Sequence, residues 1–147
     1  MTYSNYYDNG TLVGHITNGV NVAGYLSWGR NSPSLTGDYP TNKNILQWSG
    51  NSGWWIIATV ESFNGQRLAY GQGNFIKWFS ANSFGGTSYS STPVGGVSNT
   101  DEPYNTEANN TAIYFGLWAS EKNLAICAWN SRNVDVLQVL GDPFVTR

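Results

Sequence analysis

The sequence predicts one all-β domain, an antiparallel β-sandwich or barrel-like body of short hairpins spanning residues 1–147. Three observations predict it. Asn-Gly pairs recur at Asn9-Gly10, Asn18-Gly19 and Asn64-Gly65, and Asn-Gly accepts the positive φ of tight hairpin turns. Aromatic residues make up 15% of the chain, and these fit a pleated, half-buried surface. Residues 111–130 read as two apolar runs, TAIYFGLW and LAICAWN, joined by the polar link ASEKN, a common hairpin length. In the first run Ile113, Phe115 and Leu117 oppose Tyr114, Gly116 and Trp118. In the second, Leu124, Ile126 and Ala128 oppose Ala125, Cys127 and Trp129. Neither face is polar, which predicts a central hairpin covered on both sides.

In chain order, the Asn-Gly pairs separate short runs over 3–8, 11–17 and 20–28, an N-terminal meander. Residues 29–44 hold Pro33, Gly37 and Pro40 and read as loop. A short strand is predicted over 45–49, and a turn over 50–53 leads into the strand-prone run 54–61. Asn64-Gly65 then turns the chain toward 66–70, and alternation over 74–80 predicts another strand. Residues 80–110 carry Gly85-Gly86, Gly95-Gly96, Pro93 and Pro103 and few large apolar side chains. They read as a long loop, shortened by an edge strand near 94–97, that is either a solvated excursion or a binding loop. Beyond the central hairpin, a strand over 133–140 and a turn at Gly141-Asp142-Pro143 precede an edge segment at 144–146. The expected core is Ile56, Ala58, Ile113, Phe115, Leu117, Leu124, Ile126 and Trp129. No consistent repeat period is present, which argues against a propeller or solenoid.

Composition narrows the function classes. Charged residues are only 11% and the net charge is −2, so the polar surface is built from Asn, Ser, Thr and Gly. The Lys and Arg residues are scattered, and phosphate neutralisation dominates nucleic-acid affinity, so no nucleic-acid partner is expected. No run approaches the length of a transmembrane helix, so no membrane insertion is expected. The N-terminal residues lack the basic and apolar stretches of a signal peptide.

Candidate chemistry is sparse. His15 is the sole histidine and Cys127 the sole cysteine, too few for a His/Cys metal site and with no partner to activate a nucleophile. No catalytic residue and no cofactor is assigned, and a non-enzymatic protein is expected. Asp101, Glu102 and Glu107 supply calcium-type oxygens among Asn residues but lack the spacing of a known calcium loop. The seven tryptophans are the richest feature. Adjacent Trp54 and Trp55 point to opposite faces if both lie in a strand. Then one can be core and the other on an outer face, where it stacks on a sugar or anchors an interface, the alternative being that both faces are buried. Trp54, Trp55, Tyr89, Tyr104 and Trp118 are the candidate binding or interface residues.

The segments YFGLW (114–118), AICAWN (125–130) and GDPFVTR (141–147) resemble short, β-rich proteins encoded in aquatic bacterial and phage genomes. The resemblance covers the last third of the chain and carries no residue role. With the low charge and aromatic hairpins, it implies a structural or attachment protein of a phage virion, located in the particle and made in the host cytoplasm. Its partners would be copies of itself and other virion proteins, with a cell-surface glycan as a further possibility. The alternative is a carbohydrate-binding, lectin-like module.

Overall fold

The computed structural model describes residues 18–27, 46–67, 75–104 and 109–147. It overturns the all-β expectation. The strands are β1 (Asn18–Val20), β2 (Gly24–Ser27), β3 (Gln47–Ser49), β4 (Ile56–Thr59), β5 (Gly95–Asn99) and β6 (Leu137–Gly141). The helices described in full are α1 (Thr111–Ala119) and α2 (Leu124–Ser131), with 3-10 turns at Phe75–Phe79 and Ser83–Gly85. One sheet has the order β2-β4-β5-β6, and β1 pairs with β3 in a second, two-stranded sheet. β2, β4 and β5 run parallel, and only β6 is antiparallel, at the edge beside β5. β1 and β3 are parallel too. The molecule is a mixed α/β body, not a sandwich of antiparallel hairpins.

The predicted central hairpin is the helix pair α1–α2. Asn110 Oδ1 accepts from the Ile113 backbone N–H (3.1 Å) and Asn123 Oδ1 from that of Ile126 (2.9 Å). Each Asn thereby satisfies a backbone donor that a helix start leaves open. Helical spacing then sorts the side chains. Tyr114 and Trp118 bury one side of α1; Leu124, Cys127, Ala128 and Ser131 bury one side of α2. A run apolar at every position cannot distinguish helix from strand by alternation, and the Asn caps decide it. Of the expected core, Ile56, Ala58 and Leu124 are fully buried, and Phe115 and Leu117 partly. Ile113, Ile126 and Trp129 are exposed. Replacing Asn110 or Asn123 by Ala should each cost about 1 kcal/mol, measured as a lower urea midpoint; midpoints unchanged in both variants would contradict the caps.

Other elements shift as well. Asn18-Gly19 lies inside β1, and Asn64-Gly65 makes no hairpin; the Gly65 N–H donates to the Asn99 carbonyl (2.8 Å). The run expected as a strand over 74–80 is a 3-10 turn over Phe75–Phe79. The expected edge strand near 94–97 is β5, held between β4 and β6 and buried along its length. Residues 144–146 form no strand, although the Val145 carbonyl accepts from the Leu124 N–H (3.0 Å). Strands over 45–49 and 54–61 are present in shorter form as β3 and β4, and the strand over 133–140 as β6. The segments 3–8, 11–17 and 29–44 and most of 66–70 lie outside the described residues.

The four-stranded sheet is covered on both faces. Ile56, Ala58 and Val97 face α1 and α2, packing with Tyr114, Trp118, Leu124 and Cys127. Ile57 and Tyr25 face an aromatic layer of Trp48, Trp55, Phe75, Trp78 and Phe84. In that layer Trp48 stacks on Phe84 (5.4 Å, 16°), and Trp55 meets Phe84 edge-on (4.7 Å, 89°). Helices and apolar strands on both faces are the setting of parallel sheets. The helix pair also explains β6. Two successive helices carry the chain down and back, so β6 re-enters beside β5 in the opposite sense.

Candidate functional site

Open parallel sheets place ligands at the carboxyl ends of their strands. Here that end is polar. In register, the row Leu26–Ala58–Val97–Val139 is followed by the pairs Ser27–Thr59 and Ser98–Gln138, which the Thr59–Ser98 hydrogen bond joins. Each parallel strand passes from apolar to polar at the same level. Ser27, Thr59, Glu61, Asn64, Ser98 and Asn99 are all buried there.

The side chains form a directed chain of hydrogen bonds. Thr59 Oγ1 donates toward Ser98 Oγ (2.8 Å), and Ser98 Oγ donates to Asn64 Oδ1. Thr59 Oγ1 also lies 3.0 Å from Asn64 Oδ1, but a hydroxyl has one hydrogen to give. Asn64 Nδ2 donates to Glu61 Oε2 (3.4 Å). Asn99 belongs to the same end but to the helix face of the sheet, alternating with Ser98. Its Nδ2 donates to the carbonyls of Val60 and Glu61 (3.2 Å each). That fixes the amide's orientation and leaves Oδ1 buried with no partner. Asn109, just before α1, is buried with neither amide atom bonded. Buried polar groups are ordinarily satisfied, and an orphan costs about 1–3 kcal/mol.

Two loops rim this end. The chain after β4 and the chain after β5 are tied side by side by Gln66 Nε2 to the Thr100 carbonyl (2.7 Å) and Ser62 Oγ to Glu102 Oε1 (2.7 Å). Each holds an aromatic residue in the left-handed region: Phe63 at φ 58° and Tyr104 at φ 43°. Bulky residues adopt that conformation at a cost, and Phe84 and Tyr89 share it away from this end. Tyr104 is exposed.

The residues singled out from sequence are dispersed. Trp55 is fully buried, its Nε1 donating to the Ser91 carbonyl (3.1 Å), and Trp118 is buried in the helix layer. Trp54 is exposed before β4, with Nε1 on the Thr146 carbonyl (2.6 Å), and Tyr89 is exposed in the segment leading to β5. Both therefore precede the strands whose far ends carry the polar cluster, and only Tyr104 belongs to that end. Asp101 and Glu102 are exposed on the rim, while Glu107 and His15 lie outside the described residues. Among the described residues no group of three or more metal-ligating side chains occurs, and no helix is long and apolar enough to cross a membrane. The polar cluster itself escaped a search for catalytic residue types. Its signal was positional: fully apolar Ile56-Ile57-Ala58 and Gly95-Gly96-Val97 each give way to polar residues, as buried parallel strands do at their ends.

Cys127 is buried, with Sγ 3.5 Å from the Lys122 carbonyl. Burial pushes its thiol up to about 11, leaving it protonated and unreactive at neutral pH. Burial, and secondarily Cys127, also hold the Tyr114 phenol well above its ordinary value; Tyr114 Oη donates to the Ile57 carbonyl (3.3 Å). The folded state prefers the neutral thiol, so its contribution to stability is complete below the ordinary thiol range. It is lost as pH rises toward 11. Cys127→Ala should flatten that alkaline fall in urea titrations, and a variant with the wild-type pH profile would contradict it.

Fold and site together define a mixed α/β domain whose parallel strands end among amides and hydroxyls, with Glu61 buried beside them and Asp101 and Glu102 on the rim. No family model, curated protein or solved structure matches the chain.

Proposed function

We propose that this domain is a binding module for an uncharged, hydroxyl-rich ligand of the carbohydrate class, held at the carboxyl ends of β2, β4 and β5. One observation carries the proposal: the ends of β4 and β5 and the chain after β4 bring together Thr59, Ser98, Asn99 and Asn64, neutral groups beside one buried carboxylate, Glu61. Amides, hydroxyls and one carboxylate are the partners sugar hydroxyls take, and the exposed Tyr104 ring offers a stacking surface. The action is binding rather than catalysis; the protonated Cys127 supports that. Isothermal titration with the methyl glycosides of glucose, mannose, galactose and N-acetylglucosamine tests it. Saturable binding of at least one is expected, and heat of dilution alone for all four would contradict it.

A second reading, assembly with copies of itself, is favoured by the outer face of the helix pair. Ile113, Ile126 and Trp129 are exposed there, and Gly116 leaves open space. Arg132 stacks over the Trp129 ring at 3.7 Å and pairs with Asp135 at 2.7 Å. Helices apolar on all sides are usually covered. A virion place for such an assembly rests on composition and the C-terminal resemblance. Light scattering should show an oligomer that Trp129→Ser dissociates; a monomeric wild type would remove this reading.

A further inference from the structure

We propose that Asn99 and Asn109 form an amide-recognition pair, so that the preferred ligand is an acetamido sugar. The inference rests on the carbohydrate reading above and names the ligand class within it. Three facts carry it. Asn99 Nδ2 is committed to two backbone carbonyls, so only its buried Oδ1 is left unpaired, as an acceptor. Asn109 has both its donor and its acceptor unused while nine-tenths buried. The topology brings them to one end and one face. Asn99 ends β5 on the side of the sheet that α1 and α2 cover, in register with Leu137 of that layer. Asn109 precedes α1, where the Asn110 N–H donates to the Ser131 carbonyl (2.8 Å) at the close of α2.

The unused atoms are two carbonyl oxygens and one amino group. A bare hydroxyl satisfies part of that set. A secondary amide matches it better: its N–H donates to Asn99 Oδ1, and its C=O accepts from Asn109 Nδ2. The adjoining helix layer, with Leu137 and Val97, suits the methyl of an acetyl group. A site built to hydrogen-bond a polar group rejects analogues that lack it, because its own buried groups then stay unpaired. Charge argues the same way. The free amine of a hexosamine has no C=O to accept from Asn109, and its ammonium brings a charge into a buried setting.

The test compares methyl glycosides of N-acetylglucosamine, glucose and glucosamine by titration calorimetry on the wild type, Asn109→Leu and Asn99→Leu. The wild type is expected to bind the acetamido glycoside at least about tenfold more tightly than the other two. Asn109→Leu should erase that preference, bringing the acetamido glycoside down to the affinity of the glucoside. It should also leave the urea midpoint unchanged or higher, since it removes an unsatisfied amide. Asn99→Leu loses two backbone hydrogen bonds and serves only as a check that the preference falls with the acceptor. Equal binding of the acetamido sugar and the glucoside would overturn the amide pair and leave the carbohydrate reading standing. So would a preference that survives Asn109→Leu. If none of the three glycosides binds, the amide pair falls, and the carbohydrate reading falls with it only when the mannoside and galactoside fail to bind as well.

Discussion

Trp55→Ala should cost about 3–5 kcal/mol, enough to leave a marginally stable domain largely unfolded. Trp55 is fully buried at the centre of the aromatic layer, against Trp48 and edge-on to Phe84. Its removal opens a cavity that two large rings cannot collapse into without losing their mutual stacking. It also strips the Ser91 carbonyl of the Nε1 donor that ties the chain before β5 to β4. Trp54→Ala, one residue away, removes a ring of equal size that is more than half exposed (54%). It should cost far less. Urea titrations followed by circular dichroism read both, and comparable losses for the pair would contradict the assignment of Trp55 alone to the interior.

Gly96→Val should be nearly as damaging, by the opposite mechanism. A Cβ at Gly96 would lie 2.8 Å from the Ile57 carbonyl oxygen and 2.8 Å from Phe75 Cζ. The first neighbour is backbone of the paired strand and cannot swing away. At Gly95, on the other face, a Cβ would lie 2.5 Å from Leu124 Cδ2. The two glycines thin the centre of β5 so that the aromatic layer and the helix layer both close onto it. Overpacking of this kind costs about 1–3 kcal/mol, and the branched valine belongs at the upper end. Gly116→Val is the control, since no atom lies within 4 Å of its added Cβ. Its cost should be small. A Gly96→Val protein melting at the wild-type temperature would mean that the two layers do not meet at β5.

Some of this architecture was legible in the residues. The strands at 47–49 and 56–59 follow from Trp, Ile and Thr content; Trp54 and Trp55 are divided between solvent and core although both precede β4, so strand alternation is not what divides them. The helix pair was not legible from alternation, because TAIYFGLWA is apolar on every side. Its signal was Asn110 and Asn123, each three residues ahead of the amide it caps. Direction was the other loss. Asn-Gly pairs suggest antiparallel hairpins, but Asn18-Gly19 sits in a strand and Gly65 is committed to the Asn99 carbonyl. A strand apolar at every position, as Ile56-Ile57-Ala58 is, marks a parallel sheet buried on both faces. With antiparallel hairpins the carboxyl ends of the strands share no common location, so in the sequence Thr59, Ser98 and Asn99 are scattered polar residues rather than one site. Aromatic content drew attention to Trp54 and Tyr89 instead, which precede β4 and β5.

The central claim is that ligand is held where β2, β4 and β5 end. Mapping of amide shifts in two-dimensional 1H–15N NMR spectra, during titration with methyl N-acetylglucosaminide, tests it most directly. The account predicts saturable shifts concentrated in residues 59–66 and 98–104, including the side-chain amides of Asn64 and Asn99, with Asn109 moving alongside. Shifts confined to Trp54 and Tyr89, or to the outer face of α1 and α2, would contradict it.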